Sequence, residues 1–309
     1  MTNPFEPLLR HQGLVLFDGA MATELERRGA DLSGHLWSAR LLRDDPSAVV
    51  AVHLDSLRAG ADVISTASYQ ASREGFAQAG LGAAEADALL AGSVALARDA
   101  CAQSGVKRAV PPLVAASLGP WGAMLADGSE YRGDYAVPER ELVDFHRRRV
   151  DAVLRGRPDL VLFETIPSLA EGAALAAVAA SLPEVPFMVS FSATGAGGIA
   201  HGEPFADAVA LLSRTPNVIA VGVNCAPPSA IVPLLESVPS PHPLLAASPN
   251  SGERWDAARR RWTGPAEGTL AAWAPRYVEA GARVIGGCCR TRPADIAAAR
   301  AALRLPPLS

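Results

Sequence analysis

The chain has 309 residues, about half of them apolar, with a formal charge of -4, four cysteines and a single lysine. That balance excludes the basic footprint of a nucleic-acid binder, and no apolar run approaches the ~20 residues of a membrane helix. Four cysteines are too few for a disulfide framework at this length, so clustered thiols read as metal ligands or catalytic groups in a reducing compartment.

The amino-terminal residues carry no long apolar core followed by a small-residue cleavage site. A soluble, cytoplasmic protein is therefore expected, either a monomer or a small homo-oligomer, with small-molecule rather than nucleic-acid or membrane partners. In chain order, one pattern recurs eight times: a short β-branched or apolar run, a polar loop, then an alanine- and leucine-rich helical stretch. The predicted strands are 14–18, 62–67, 113–118, 160–165, 187–192, 218–224, 244–248 and 283–287. The predicted helices are 46–59, 84–103, 138–154, 168–181, 204–213, 228–237, 268–280 and 293–303, the last capped by Thr291 with Pro293 in its first turn. Eight such pairs in strict order predict an α/β fold, a (β/α)8 TIM barrel in one domain spanning residues 1–309, with an open doubly wound sheet as the alternative. Segments 127–137 and 253–264 are insertions after the third and seventh strands, placed to act as lids over the mouth.

In a barrel the carboxyl ends of the strands meet at one face, and that is where the chemically capable residues fall. Asp18 and Gly19 follow the first strand, Thr66 and Tyr69 the second, Trp121 the third; Glu164 ends the fourth and Asn224-Cys225 the sixth. The eighth ends in Gly286-Gly287-Cys288-Cys289. Neighbouring side chains on a regular strand point to opposite faces, so adjacent cysteines need the strand to end before both sulfurs can turn to one point. Gly286 and Gly287 are expected to allow that through backbone angles closed to other residues. Cys225, Cys288 and Cys289 then form an open Zn2+ site with its fourth position free for a substrate. Glu164, inside the apolar run 160–163, needs a cation or donor to offset the cost of burial, and a ligand ammonium would serve. Cys101, within a helical pattern, is assigned to the core. Lys107, the sole lysine, precedes the third strand at the opposite face, which argues against Schiff-base chemistry.

Taken together, Phe17-Asp18-Gly19-Ala20-Met21-Ala22-Thr23, Leu36-Trp37-Ser38, Tyr69-Gln70-Ala71-Ser72, Glu164-Thr165-Ile166-Pro167, Gly222-Val223-Asn224-Cys225, Pro249-Asn250-Ser251-Gly252-Glu253 and Gly286-Gly287-Cys288-Cys289-Arg290 resemble the homocysteine S-methyltransferase family. The resemblance implies a zinc-bearing barrel that methylates homocysteine to methionine, with Cys225, Cys288 and Cys289 as ligands and Asp18 and Glu164 contacting homocysteine. It also implies that Tyr69 stands near the metal when the site is empty. Two departures stand near the site: Thr66-Ala67-Ser68 replaces the usual Thr-Asn-Thr, and Ser248 replaces a tyrosine. The chain ends after its eighth helix without the extensions of the betaine- and cobalamin-using branches, so the expected donor is the sulfonium S-methylmethionine or S-adenosylmethionine. The predicted substrate-facing set is Asp18, Gly19, Thr66, Tyr69, Glu164 and Asn224, with Trp37 or Trp121 facing the sulfonium through cation–π attraction. No catalytic group is expected beyond the zinc-activated substrate thiolate. Two other readings stay open: a thiol-disulfide redox protein using Cys288 and Cys289, and a non-catalytic zinc barrel that binds a thiol.

Overall fold

The computed structural model describes residues 2–32, 36–194, 197–240, 242–256 and 261–308, without the side chains of Trp37, Arg254, Trp255, Asp256 and Arg261. Among these residues the strands are β1 (Val15–Leu16), β2 (Val63–Ser65), β3 (Leu113–Leu118), β4 (Leu160–Ile166), β5 (Phe187–Phe191), β6 (Val218–Asn224), β7 (Leu244–Ser248), β8 (Arg254–Asp256), β9 (Arg261–Thr263) and β10 (Ala282–Ile285). β8 and β9 form a separate antiparallel hairpin within the second insertion. The other eight pair in parallel in the order β1-β10-β7-β6-β5-β4-β3-β2. The two ends of that sheet meet where Phe17 bridges Val63, with Asp18 N donating to Val63 O at 3.0 Å and Asp62 N to Leu16 O at 2.6 Å. The sheet is therefore a barrel, and the open-sheet alternative falls.

Period-two alternation decides which side chains fill it. Leu160 and Leu162 of β4 point inward beside Ala115, Met188, Ala220, Ala246 and Val284, whereas Val161 and Phe163 face the helical ring. The amino-terminal helix Glu6–Gln12 closes the far end of this interior with Phe5 and Leu8, and the Phe5 ring meets Phe17 edge-on at 6.0 Å. One more step along the same inward rows leads from Leu162 to Glu164 and from Ala115 to Ser117, and two steps lead from Ala220 through Gly222 to Asn224. The alternation that builds the apolar floor thus also delivers polar groups to the mouth.

The ring helices Pro46–Ala59, Ala83–Gln103, Glu139–Leu154, Leu169–Ala180, Phe205–Leu212, Pro228–Glu236, Leu270–Glu279 and Pro293–Ala302 lie where the periodicity predicts them. The first shows local signals at work: the Asp45 carboxylate accepts from Ala48 N at 3.0 Å, Pro46 opens the helix, and Gly60 ends it at φ +105°. The cap of the last helix is Arg292 rather than Thr291. Thr291 is used differently, its carbonyl accepting from Ala20 N at 3.1 Å. No helix among the described residues is long and apolar enough to cross a membrane.

Candidate metal centre

Cys225 follows the last residue of β6, and Cys288 and Cys289 follow β10, two places round the barrel. Their three Sγ atoms lie within 4.8 Å of one another, with Cys225 and Cys289 at 3.5 Å. A tetrahedral zinc with Zn–S bonds of ~2.3 Å sets its sulfurs ~3.8 Å apart, so this donor set fits the ion with little movement. Hydrogen bonds from Cys288 and Cys289 hold the Cys225 thiol well below its usual range and push their own thiols up.

The backbone route to this convergence differs from the one expected. Neither Gly286 nor Gly287 has a positive φ; Cys225 does, at +50°, and so does Arg290, at +73°. The glycines are required by close approach instead. A Cβ on Gly286 would stand 2.8 Å from both Phe17 Cβ and Ser248 Oγ, and one on Gly287 would stand 2.2 Å from Thr291 Cγ2. The turn is held by Gly287 N donating to Asp18 O at 3.0 Å, Cys288 N to Pro249 O at 2.8 Å and Thr291 N to Cys288 O at 2.9 Å.

Around the sulfurs, Asp18, Gly19, Thr66, Tyr69, Glu164 and Asn224 line one cavity, as the strand-end argument requires. Glu164 stands at a shift in the β4–β5 register, a device that re-aims a side chain. Next to it Thr165 adopts φ +64°, costly for a β-branched residue. The Asn224 amide offsets that cost, accepting from Thr165 N at 2.8 Å and donating to Thr165 Oγ1 at 2.9 Å. The same amide nitrogen stands 3.5 Å from Glu164 Oε2 and 3.7 Å from Cys288 Sγ, so one side chain links strained backbone, carboxylate and thiol. Burial pushes the Glu164 carboxyl up to about 7, against the hydrogen bond from Ser117 Oγ. Burial likewise pushes Asp18 up to about 7, although Ser65 N and Oγ donate to it at 2.9 and 3.0 Å. Two such carboxyls at the mouth favour a cationic ligand, whose charge would restore their ionisation.

Tyr69 packs its ring over Gly119, where a Cβ would meet it at 2.7 Å. A second phenol stands beside the sulfurs: Tyr131 OH lies 3.5 Å from Cys225 Sγ. Tyr131 and its neighbour Glu130 line the cavity from the short turn Ser129–Tyr131 of the first insertion. Burial pushes the Glu130 carboxyl up to about 7. Sequence reasoning flagged this segment but not these residues, which lie in no periodic pattern. A tyrosine beside an acid in an insertion at the mouth was the only available signal. Trp121 is not part of the cavity lining; its ring packs against Phe145 at 4.9 Å. The Trp37 side chain lies outside the described residues. The second insertion is tied back by Arg290 Nε donating to Glu253 Oε2 at 2.9 Å, and none of its described residues lines the cavity.

Comparison with known proteins agrees with this geometry. A sequence model of the family described as Homocysteine S-methyltransferase matches residues 15–303. The homocysteine S-methyltransferase of Escherichia coli is 45% identical, covering 97% of this chain and 98% of its own. Homocysteine S-methyltransferase YbgG of Bacillus subtilis is 42% identical, over 95% of this chain and 96% of its own. Among solved structures, the metallated form of the E. coli homocysteine methyltransferase MmuM superposes with a TM-score of 0.84 at 42% identity, covering 97% of this chain and 99% of that one.

Proposed function

This chain belongs to the homocysteine S-methyltransferase family, and from that premise we propose that it makes methionine by moving a methyl group from a sulfonium donor to homocysteine at a zinc centre held by Cys225, Cys288 and Cys289. The observation that carries this reading is the convergence of three free thiols within 4.8 Å at the carboxyl end of the barrel. Zinc, when bound there, would supply a Lewis acid at which a thiol of ordinary pKa ~8.5 is a thiolate at neutral pH.

The chain's own residues supply the rest. Asp18 and Glu164 offer carboxylates to the substrate ammonium. Asn224 holds the Glu164 bulge in register beside the sulfurs. The apolar floor of Leu162, Met188 and Phe17 keeps water from beneath the reacting atoms. In the transfer, the homocysteine sulfur forms a bond to the methyl carbon while the donor's carbon–sulfur bond breaks, its electron pair staying on a neutral thioether. Positive charge disperses as this happens, so orienting two sulfurs in a water-poor site is the main contribution asked of the protein. S-Methylmethionine or S-adenosylmethionine is the proposed donor. Neither the redox reading nor the non-catalytic one is favoured, since the relatives that match end to end are named methyltransferases.

Metal analysis of the purified protein, followed by methionine formation from homocysteine with each donor offered separately, tests this. Cys225→Ala is expected to lose both zinc and turnover. Turnover retained without zinc would overturn the reading.

A further inference from the structure

Tyr131 reaches the Cys225 sulfur and Glu130 the cavity wall from a segment outside the strands, so something other than the barrel must hold them there. The segment leaves β3 through the short helix Trp121–Leu125, passes through the turn Ser129–Tyr131 and enters the helix Glu139–Leu154. Both of its stems converge on one side chain, Glu171, which is wholly buried on the helix Leu169–Ala180 of the next βα unit. At the entry stem, Trp121 N donates to Glu171 Oε1 at 2.7 Å. At the exit stem, the Tyr135 hydroxyl donates to Glu171 Oε2. From the following helix, His146 Nε2 lies 2.7 Å from Glu171 Oε1. With Nε2 as donor, the unpartnered buried Nδ1 of His146 is left as an acceptor. A buried carboxylate costs several kcal/mol unless donors surround it, and here the donors come from three successive parts of the chain that frame the segment. Inside that frame the turn itself fits closely: a Cβ on Gly122 would stand 2.6 Å from Glu130 N, and one on Gly133 would stand 3.1 Å from Pro167 Cβ.

We propose that Glu171 is a positioning residue for the thiol-binding site, acting through Trp121 N and the Tyr135 hydroxyl to fix the turn that sets Glu130 and Tyr131 against the homocysteine pocket. It touches neither metal nor substrate. The inference rests on the functional reading above in taking homocysteine as the ligand.

In the full-length, zinc-loaded protein, Tyr135→Phe and Glu171→Gln are expected to raise the homocysteine KM about tenfold with kcat within about twofold, the scale of one lost charge-assisted hydrogen bond. Amide exchange should quicken in 127–137 and stay unchanged in β4, β5 and β6. A purely structural defect lowers the active fraction, and so apparent kcat, while leaving KM alone. A wild-type KM in Tyr135→Phe, whatever its kcat, therefore overturns the proposal. Should Glu171→Gln fail to fold, Tyr135→Phe, which deletes a single hydroxyl, decides the matter by itself. If the wild-type protein makes no methionine, the functional reading fails separately. Amide exchange then still decides: quickening confined to 127–137 supports the positioning role and unchanged exchange refutes it.

Discussion

Gly287→Ala isolates the close approach that shapes the cysteine turn. The new Cβ would lie 2.2 Å from Thr291 Cγ2 and 2.5 Å from Thr291 Cβ, against an ordinary carbon–carbon contact of ~3.5–4.0 Å, so more than ~1 Å must be found. Thr291 cannot yield it. Its carbonyl accepts from Ala20 N at 3.1 Å and sits so close to Gly19 that a Cβ there would be 2.6 Å away. The displacement therefore passes to Cys288 and Cys289. Overpacking of this kind costs ~1–3 kcal/mol, which at ~2–4 °C per kcal/mol lowers Tm by roughly 2–12 °C. Zinc affinity should fall by on the order of 10–100-fold, as when support around metal ligands is lost. Competition against a chromophoric chelator measures the second effect and calorimetry of the metal-free protein the first. Gly80→Ala is the control: at φ +81° with nothing within 4 Å of the added carbon, it should cost ~1–2 kcal/mol of backbone strain and leave zinc affinity unchanged. Wild-type zinc affinity in Gly287→Ala would refute the reasoning.

Asp18→Asn gives a pH-dependent signature in the metal-free protein. Because the folded carboxyl titrates near 7 rather than at 3.8, native Asp18 contributes its full stability below pH ~4 and loses it as pH rises through ~7. The variant should gain on the wild type by on the order of 4 kcal/mol between pH 4 and 8, at ~1.36 kcal/mol per pH unit; urea midpoints whose separation does not change with pH would contradict this. Phe5→Ala should lose ~3–5 kcal/mol by urea unfolding while zinc content stays intact, and a loss under ~1 kcal/mol would remove the amino-terminal helix from the core. Arg149 is buried, donates to Ala71 O at 2.8 Å and to Gly119 O and Tyr69 O at 2.6 Å, and is pulled down to about 10 by burial. Arg149→Met leaves those carbonyls without their donor and should cost ~3–5 kcal/mol in the same assay; a neutral result would show that the loops refold around the loss.

The eight barrel strands were legible because each is a short, largely apolar run, and a parallel strand buried on both faces needs that composition. Strands β3, β6 and β7 begin and end where expected. Short helices such as Met21–Arg27 and Arg73–Gln78 were not predicted, since elements of six or seven residues owe their stability to what they pack against rather than to propensity. The cysteine trio was legible from position alone. The purpose of Gly286 and Gly287 was misread, because a glycine needed for a tight contact and one needed for an unusual φ look identical in a sequence. Tyr131 was hidden by lying in a loop without a period. Glu171 left a faint trace, as the sole charged residue of the alanine-rich helix Leu169–Ala180.

The wall of the barrel is thinnest where β1 meets β2, a seam carried by the Phe17–Val63 bridge and two flanking backbone hydrogen bonds. The Asp18 carboxylate spans that same seam to Ser65 on the opposite strand. Under the proposed function one side chain therefore grips the substrate and rivets the cylinder shut. Occupancy of the mouth and integrity of the wall become a single equilibrium, and a filled enzyme should resist opening first along the join between its first two strands.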